Sequence, residues 1–179
     1  MKTPFLPVLS LALLVGLPAN AVAQTAGGST SAVVGSLKGL HDITVNNIME
    51  TATMLDEDIY EYQPTDEVRT TGQILSHIAN AQFMFCSTAA GVDNPNDQNY
   101  EETATSKADV IAALESGFEF CSGIYDGMSD EAGAEMTNLF GMEMARSAIL
   151  AFNSTHNYEH YGNLVTYMRI NGIVPPSSM

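Results

Sequence analysis

His156 and His160, in the run HNYEH near the C-terminal end, stand four residues apart in a chain with only four histidines. On a helix that spacing projects two imidazoles from one face, a turn apart, which is how two ring nitrogens reach the same ion. His77 lies on a second apolar stripe, spaced with Ile74, Ile78, Ala81 and Phe85. A lone histidine on an apolar face is usually a hydrogen-bonded core residue. Three of four on inward faces point instead to a metal site on His77, His156 and His160. Three neutral imidazoles with an open position suit a divalent transition metal, and ligand softness does not separate zinc, nickel and iron.

HNYEH also fits HxxEH, the inverted zinc-peptidase pattern, in which the acid would be the general base. That class takes its third ligand from downstream. Residues 161–179 contain no Asp, Glu or His, so a third ligand is expected from upstream, which argues against a peptidase of that class. Glu159 is then expected to be solvated. The fourth histidine, His41, sits beside Leu37, Leu40 and Val45 and is expected as a boundary residue of the bundle, in preference to lining a pocket near the metal or adding a ligand.

The elements that must position these rings follow from apolar spacing. Leu37, Leu40, Val45, Ile48, Met49, Ala52 and Leu55 mark a first amphipathic helix, closed by Asp56, Glu57, Asp58 and Pro64. Thr70 and Gln73 form a capping-box pattern that opens a second helix reaching about Ala90. Ser106 and Asp109 open a third, which carries Val110, Ile111, Leu114, Phe118, Cys121 and Ile124. A fourth is expected from about Met142 to Ile170, with Ala145, Ile149, Phe152, His156, His160, Leu164 and Tyr167 on its inner stripe and Asn171-Gly172 as its stop. Alternating strand patterns are not evident, so the expected fold is all-α, a four-helix bundle. The turn-rich stretch GVDNPNDQNYEET between helices two and three is long enough for a crossover along the bundle.

Cys86 and Cys121 fall at matching distances from the starts of helices two and three. A disulfide is geometrically open to them if those helices run parallel, and otherwise they would be some 15 Å apart along the bundle. Residues 1–23 read as a signal peptide: Lys2, an apolar run from Phe5 to Leu17, then Ala21-Val22-Ala23. The expected mature domain, 24–179, has 156 residues, enough for one core. It is then periplasmic or secreted, with no membrane contact once the signal is removed. Cleavage removes one lysine and no acid, moving the formal charge from -15 to -16. Such a surface repels phosphate backbones and anionic lipid, which excludes nucleic acid as a partner. A small-molecule substrate is the expected partner, and a homodimer is left open.

Two runs, YQPTDEVRTTGQILSHIANAQFMFC (62–86) and HNYEHYGNLVTYMRINGIVPPSS (156–178), resemble the DinB/YfiT-like family. The resemblance spans nearly the whole mature chain. It implies an up-down-down-up bundle and a metal held on three histidines, which carry over onto His77, His156 and His160. About activity the resemblance is diffuse: it takes in thiol-dependent transferases or isomerases, sulfoxide-forming iron enzymes and many members with no assigned reaction. The function expected of the site itself is that of a metal-dependent enzyme, of hydrolase or thiol-transferase type. The alternative is a non-catalytic periplasmic binding or scaffold protein that keeps the fold. An export signal departs from the family's usual pattern, and low-molecular-weight thiols are scarce outside the cytoplasm.

Overall fold

The computed structural model describes residues 31–179, so residues 1–23, where a signal peptide is expected, lie outside the described residues. Four long helices form the bundle: α1 (Ala32–Met54), α3 (Thr71–Ala90), α5 (Lys107–Gly127) and α7 (Arg146–Ile170). Short helices α2 (Glu57–Tyr60), α4 (Tyr100–Thr103) and α6 (Asp130–Gly133) punctuate the connections.

Local chemistry sets the helix ends. Thr70 and Gln73 exchange hydrogen bonds at the start of α3, and Ser106 and Asp109 do the same for α5. Each box satisfies amide donors that the first helical turn leaves open. The start of α1 is capped from a distance: the Asp130 carboxylate accepts from the amides of Val33 and Val34 at 2.9–3.1 Å. Those hydrogen bonds hold its carboxyl below the usual carboxylate range. Gly91, in the left-handed region at φ 70°, ends α3.

Helices α3 and α5 run parallel, joined by the crossover, while α1 and α7 run the other way, giving the up-down-down-up order. Parallel packing places Cys86 and Cys121 at one height, where they form a disulfide with Cα atoms 5.3 Å apart. Nearby, α3 and α5 approach so closely that a Cβ on Gly117 would lie 3.0 Å from the Ala79 carbonyl oxygen.

The fourth helix begins later than its apolar pattern suggests. Met142–Ala145 is a strand, β2, paired antiparallel with β1 (Met136–Leu139), with Leu139 opposite Met142. Phe140 and Gly141 make the turn, at φ 54° and 85°. Two successive residues with positive φ match the twist of a two-residue hairpin. The apolar–polar–apolar run Met142-Glu143-Met144 fits a period of two as well as a helix face, and the turn decides between them.

Two apolar clusters fill the bundle, one around Ile48, Leu75, Leu114 and Leu164, the other around Val34, Phe85, Ile149 and Leu150. Between them lies a polar seam. Gln82 Nε2 donates to Asn157 Oδ1 at 2.7 Å, Asn157 Nδ2 to Thr44 Oγ1 at 3.1 Å, and Asn153 Nδ2 to Gln82 Oε1 at 3.0 Å. All four side chains are fully buried, so these bonds replace water that the groups have lost.

Candidate metal centre

His156 and His160 occupy successive turns of α7, and His77 faces them from α3. Nε2 of His156 lies 3.1 Å from Nε2 of His77 and 3.1 Å from Nε2 of His160. The three can each offer a ligand atom within 4.8 Å of the others. His160 is buried, and His77 and His156 are half-buried. The structure thus brings together the three histidines that the sequence singled out.

His41 does not join them. Rather than lying at the core boundary, it is fully buried, stacked on Tyr125 with ring centroids 4.5 Å apart, and neither ring nitrogen has a hydrogen-bond partner. The buried face of α1 is Val34, His41, Thr44, Ile48, Thr51 and Ala52, which leaves Leu40 half exposed. Phe152 is likewise exposed on α7, where Asn153 and Asn157 turn inward instead. Glu159 is exposed, as expected, and lines a cleft that also reaches His160.

Two neighbours of the triad have no signature in the sequence. Glu101, on α4, places Oε1 2.7 Å from His77 Nδ1 and Oε2 2.7 Å from Arg69 Nε. They are separated from their partners by 24 and 32 residues, and no local spacing connects them.

Burial, then the closeness of the His160 and His77 rings and of Arg69, each of which opposes a proton there, pulls the His156 ring down to about 3, and burial lowers His160 as well. Both rings are therefore neutral near pH 7, the state in which an imidazole can ligate. For Glu101, burial raises the carboxyl, but the hydrogen bonds from Arg69 and His77 outweigh it and hold the group below its ordinary range.

Two open clefts reach the triad. One, of about 370 Å³, runs past His77 and His156 and is walled by Asn80, Met84 and the crossover residues Asn94, Asn96 and Gln98. The other, of about 700 Å³, runs past His160 with Arg69, Glu101, Glu159 and Tyr167 along it. Among the described residues no helix is long and apolar enough to cross a membrane.

Comparison with known proteins follows the same lines. The chain is 25% identical over 134 residues to the uncharacterized protein YjoA of Bacillus subtilis, covering 72% of this chain and 85% of that one. The crystal structure of a DinB-like protein from Bacillus cereus superposes with a TM-score of 0.69 at 16% identity, over 78% of this chain and 93% of that one. The mycothiol-dependent maleylpyruvate isomerase gives a TM-score of 0.61 at 13% identity, over 73% of this chain and 60% of that one. These similarities of structure establish the bundle, and the model of the DinB superfamily matches residues 41–164. With more than half its length matched, the chain belongs to the DinB superfamily.

Proposed function

We propose that the chain is an exported metal-dependent enzyme whose centre, on His77, His156 and His160, acts on a small molecule, hydrolytically in preference to by thiol transfer. The observation that carries this reading is the convergence of three Nε2 atoms, two pairs of them at 3.1 Å. Protons alone do not account for that arrangement. A neutral ring nitrogen carries either one hydrogen or one lone pair in the ring plane. His156 Nε2 therefore has one in-plane bond to make and two close neighbours. A change of tautomer only exchanges hydrogen for lone pair at that one site, so it does not relieve the crowding. Three lone pairs directed at one cation do. Ligand nitrogens on a tetrahedral ion with bonds of roughly 2.0–2.1 Å sit about 3.3 Å apart, close to the spacing here.

A divalent zinc, nickel or iron ion held there supplies Lewis acidity and eases deprotonation of water or a thiol. The chain's own residues do the rest. Burial keeps His156 and His160 unprotonated. The apolar body of the bundle fixes α3 against α7 and so the distance between His77 and the pair. The two clefts give a small molecule access from either side.

Export is supported by the N-terminal pattern and by the buried Cys86–Cys121 disulfide, a bond that persists in oxidising compartments. It weighs against a cytoplasmic thiol as cosubstrate, although the isomerase with a similar fold is mycothiol-dependent. One observation favours a second reading, a periplasmic binding or scaffold protein without catalysis. Glu101, the acid that touches the triad, has both oxygens engaged and offers no free base. Turnover of ester, amide and thiol-acceptor panels by tag-free protein, with and without chelator, separates the two. Chelator-sensitive turnover that disappears in His160→Ala supports the enzyme; stoichiometric metal with no turnover on any panel supports the binding protein.

A further inference from the structure

His77 differs from the other two histidines in having a carboxylate at its outer nitrogen. Nδ1 of His77 meets Glu101 Oε1 at 2.7 Å, whereas Nδ1 of His156 and of His160 meet nothing. Glu101 belongs to the segment that crosses from α3 to α5, and that segment is docked at several points. Tyr100 N donates to Asn80 Oδ1 at 3.0 Å, and Asn80 Nδ2 donates to Asn99 Oδ1 at 2.8 Å. Arg69 Nε holds the second oxygen of Glu101 at 2.7 Å, and the Arg69 carbonyl accepts from Tyr167 Oη of α7 at 3.0 Å. The carboxylate is thus held on one oxygen by Arg69, just before α3, and set against His77 by a segment docked on Asn80 of α3.

We propose that Glu101 is the positioning residue of the three-histidine centre: it keeps the His77 proton on Nδ1, so that Nε2 turns a lone pair inward, and through it the α3–α5 crossover is coupled to occupancy of the centre. The inference rests on the reading of the triad as a divalent-metal site. A carboxylate behind a ligating imidazole fixes its tautomer and orientation and raises its basicity, and losing such a partner typically weakens metal binding about 10–100-fold. Coupling of this kind is reciprocal. Whatever Glu101 adds to the hold on an ion, the ion adds to the docking of residues 99–104.

The test uses zinc as the probe, with the oxidised protein and two readouts besides activity. Zinc affinity is measured by competition with a chromophoric chelator for the wild type, Glu101→Ala and Glu101→Gln. Amide exchange of residues 99–104 is followed with and without zinc, and circular dichroism checks that each variant is folded. The expected result is a loss of about 10–100-fold in affinity for Glu101→Ala and a smaller loss for Glu101→Gln, whose amide oxygen still accepts from Nδ1. Zinc slows exchange across 99–104 in the wild type and leaves it unchanged in Glu101→Ala. A purely structural role would shift the thermal midpoint and leave both readouts alone. Wild-type protein that takes up neither zinc nor, in the same competition, nickel or ferrous iron overturns the metal reading beneath the inference. Wild-type protein that binds zinc while Glu101→Ala binds within twofold of it, or keeps the zinc-dependent protection, overturns this inference alone.

Discussion

Replacing His41 by phenylalanine tests the energetics of the core through pH. The ring is fully buried with both nitrogens unpaired, and burial holds its proton affinity down, to about 4 from an ordinary value of 6.5. As pH falls below about 6.5, the unfolded chain takes up a proton at this residue before the folded chain does. Stability is therefore intact above that pH, falls as pH drops toward about 4, and levels off below. Between pH 7 and pH 5 the linkage amounts to roughly 2 kcal/mol from this one ring. His41→Phe keeps an aromatic ring over Tyr125 and removes the titration. Urea unfolding at pH 7 and pH 5, in chelator so that metal release does not contribute, gives the difference for each protein. His156 and His160 are also held neutral by burial and add a loss common to both. The wild type should lose about 2 kcal/mol more than the variant. If His41→Phe does not fold, His41→Leu carries the same comparison. Equal losses in wild type and variant would refute the reasoning.

Removing the disulfide with Cys86→Ala and Cys121→Ala opens a link across 35 residues and should cost about 4 kcal/mol in urea unfolding, with helical dichroism retained; a cost below about 1 kcal/mol would contradict the constraint argument. Gly117→Ala pushes a methyl against the Ala79 carbonyl oxygen and Gln82 Cβ, and unfolding should show about 1–3 kcal/mol of destabilisation from parting α3 and α5. Gln82→Leu leaves Asn157 Oδ1 without its donor in the buried seam and should cost roughly 1–3 kcal/mol by the same measurement.

Features written in a few consecutive residues were legible in the sequence. The two capping boxes need only a hydroxyl and a partner three residues on, and both form as read. The pair His156 and His160 needs only helical spacing. The length of the connection after Ala90 allowed a crossover, and the parallel order it permits sets Cys86 beside Cys121. Features that depend on distant partners were not legible. Gln82, Asn153 and Asn157 fall off the apolar stripes, and only their mutual hydrogen bonds show why they are buried. His41 sits among Leu37, Leu40 and Val45, and only packing shows that the His41, Thr44 and Ile48 face is the buried one. Glu101 stands in a polar, turn-rich stretch with another acid beside it, and nothing periodic distinguishes it from a solvated carboxylate. The hairpin was hidden because Met142 and Met144 satisfy either period, and two positive φ angles at Phe140 and Gly141 settle it.

The central claim, that His77, His156 and His160 share one divalent transition metal ion, is tested most directly by elemental analysis of tag-free protein and of His160→Ala, each equilibrated with zinc, nickel or ferrous iron and freed of excess. The account predicts close to one ion per wild-type chain and none retained by the variant, whose helical dichroism stays that of a folded bundle because the apolar faces and not the rings hold it together. A wild type without stoichiometric metal, or a variant that retains as much as the wild type, would contradict it.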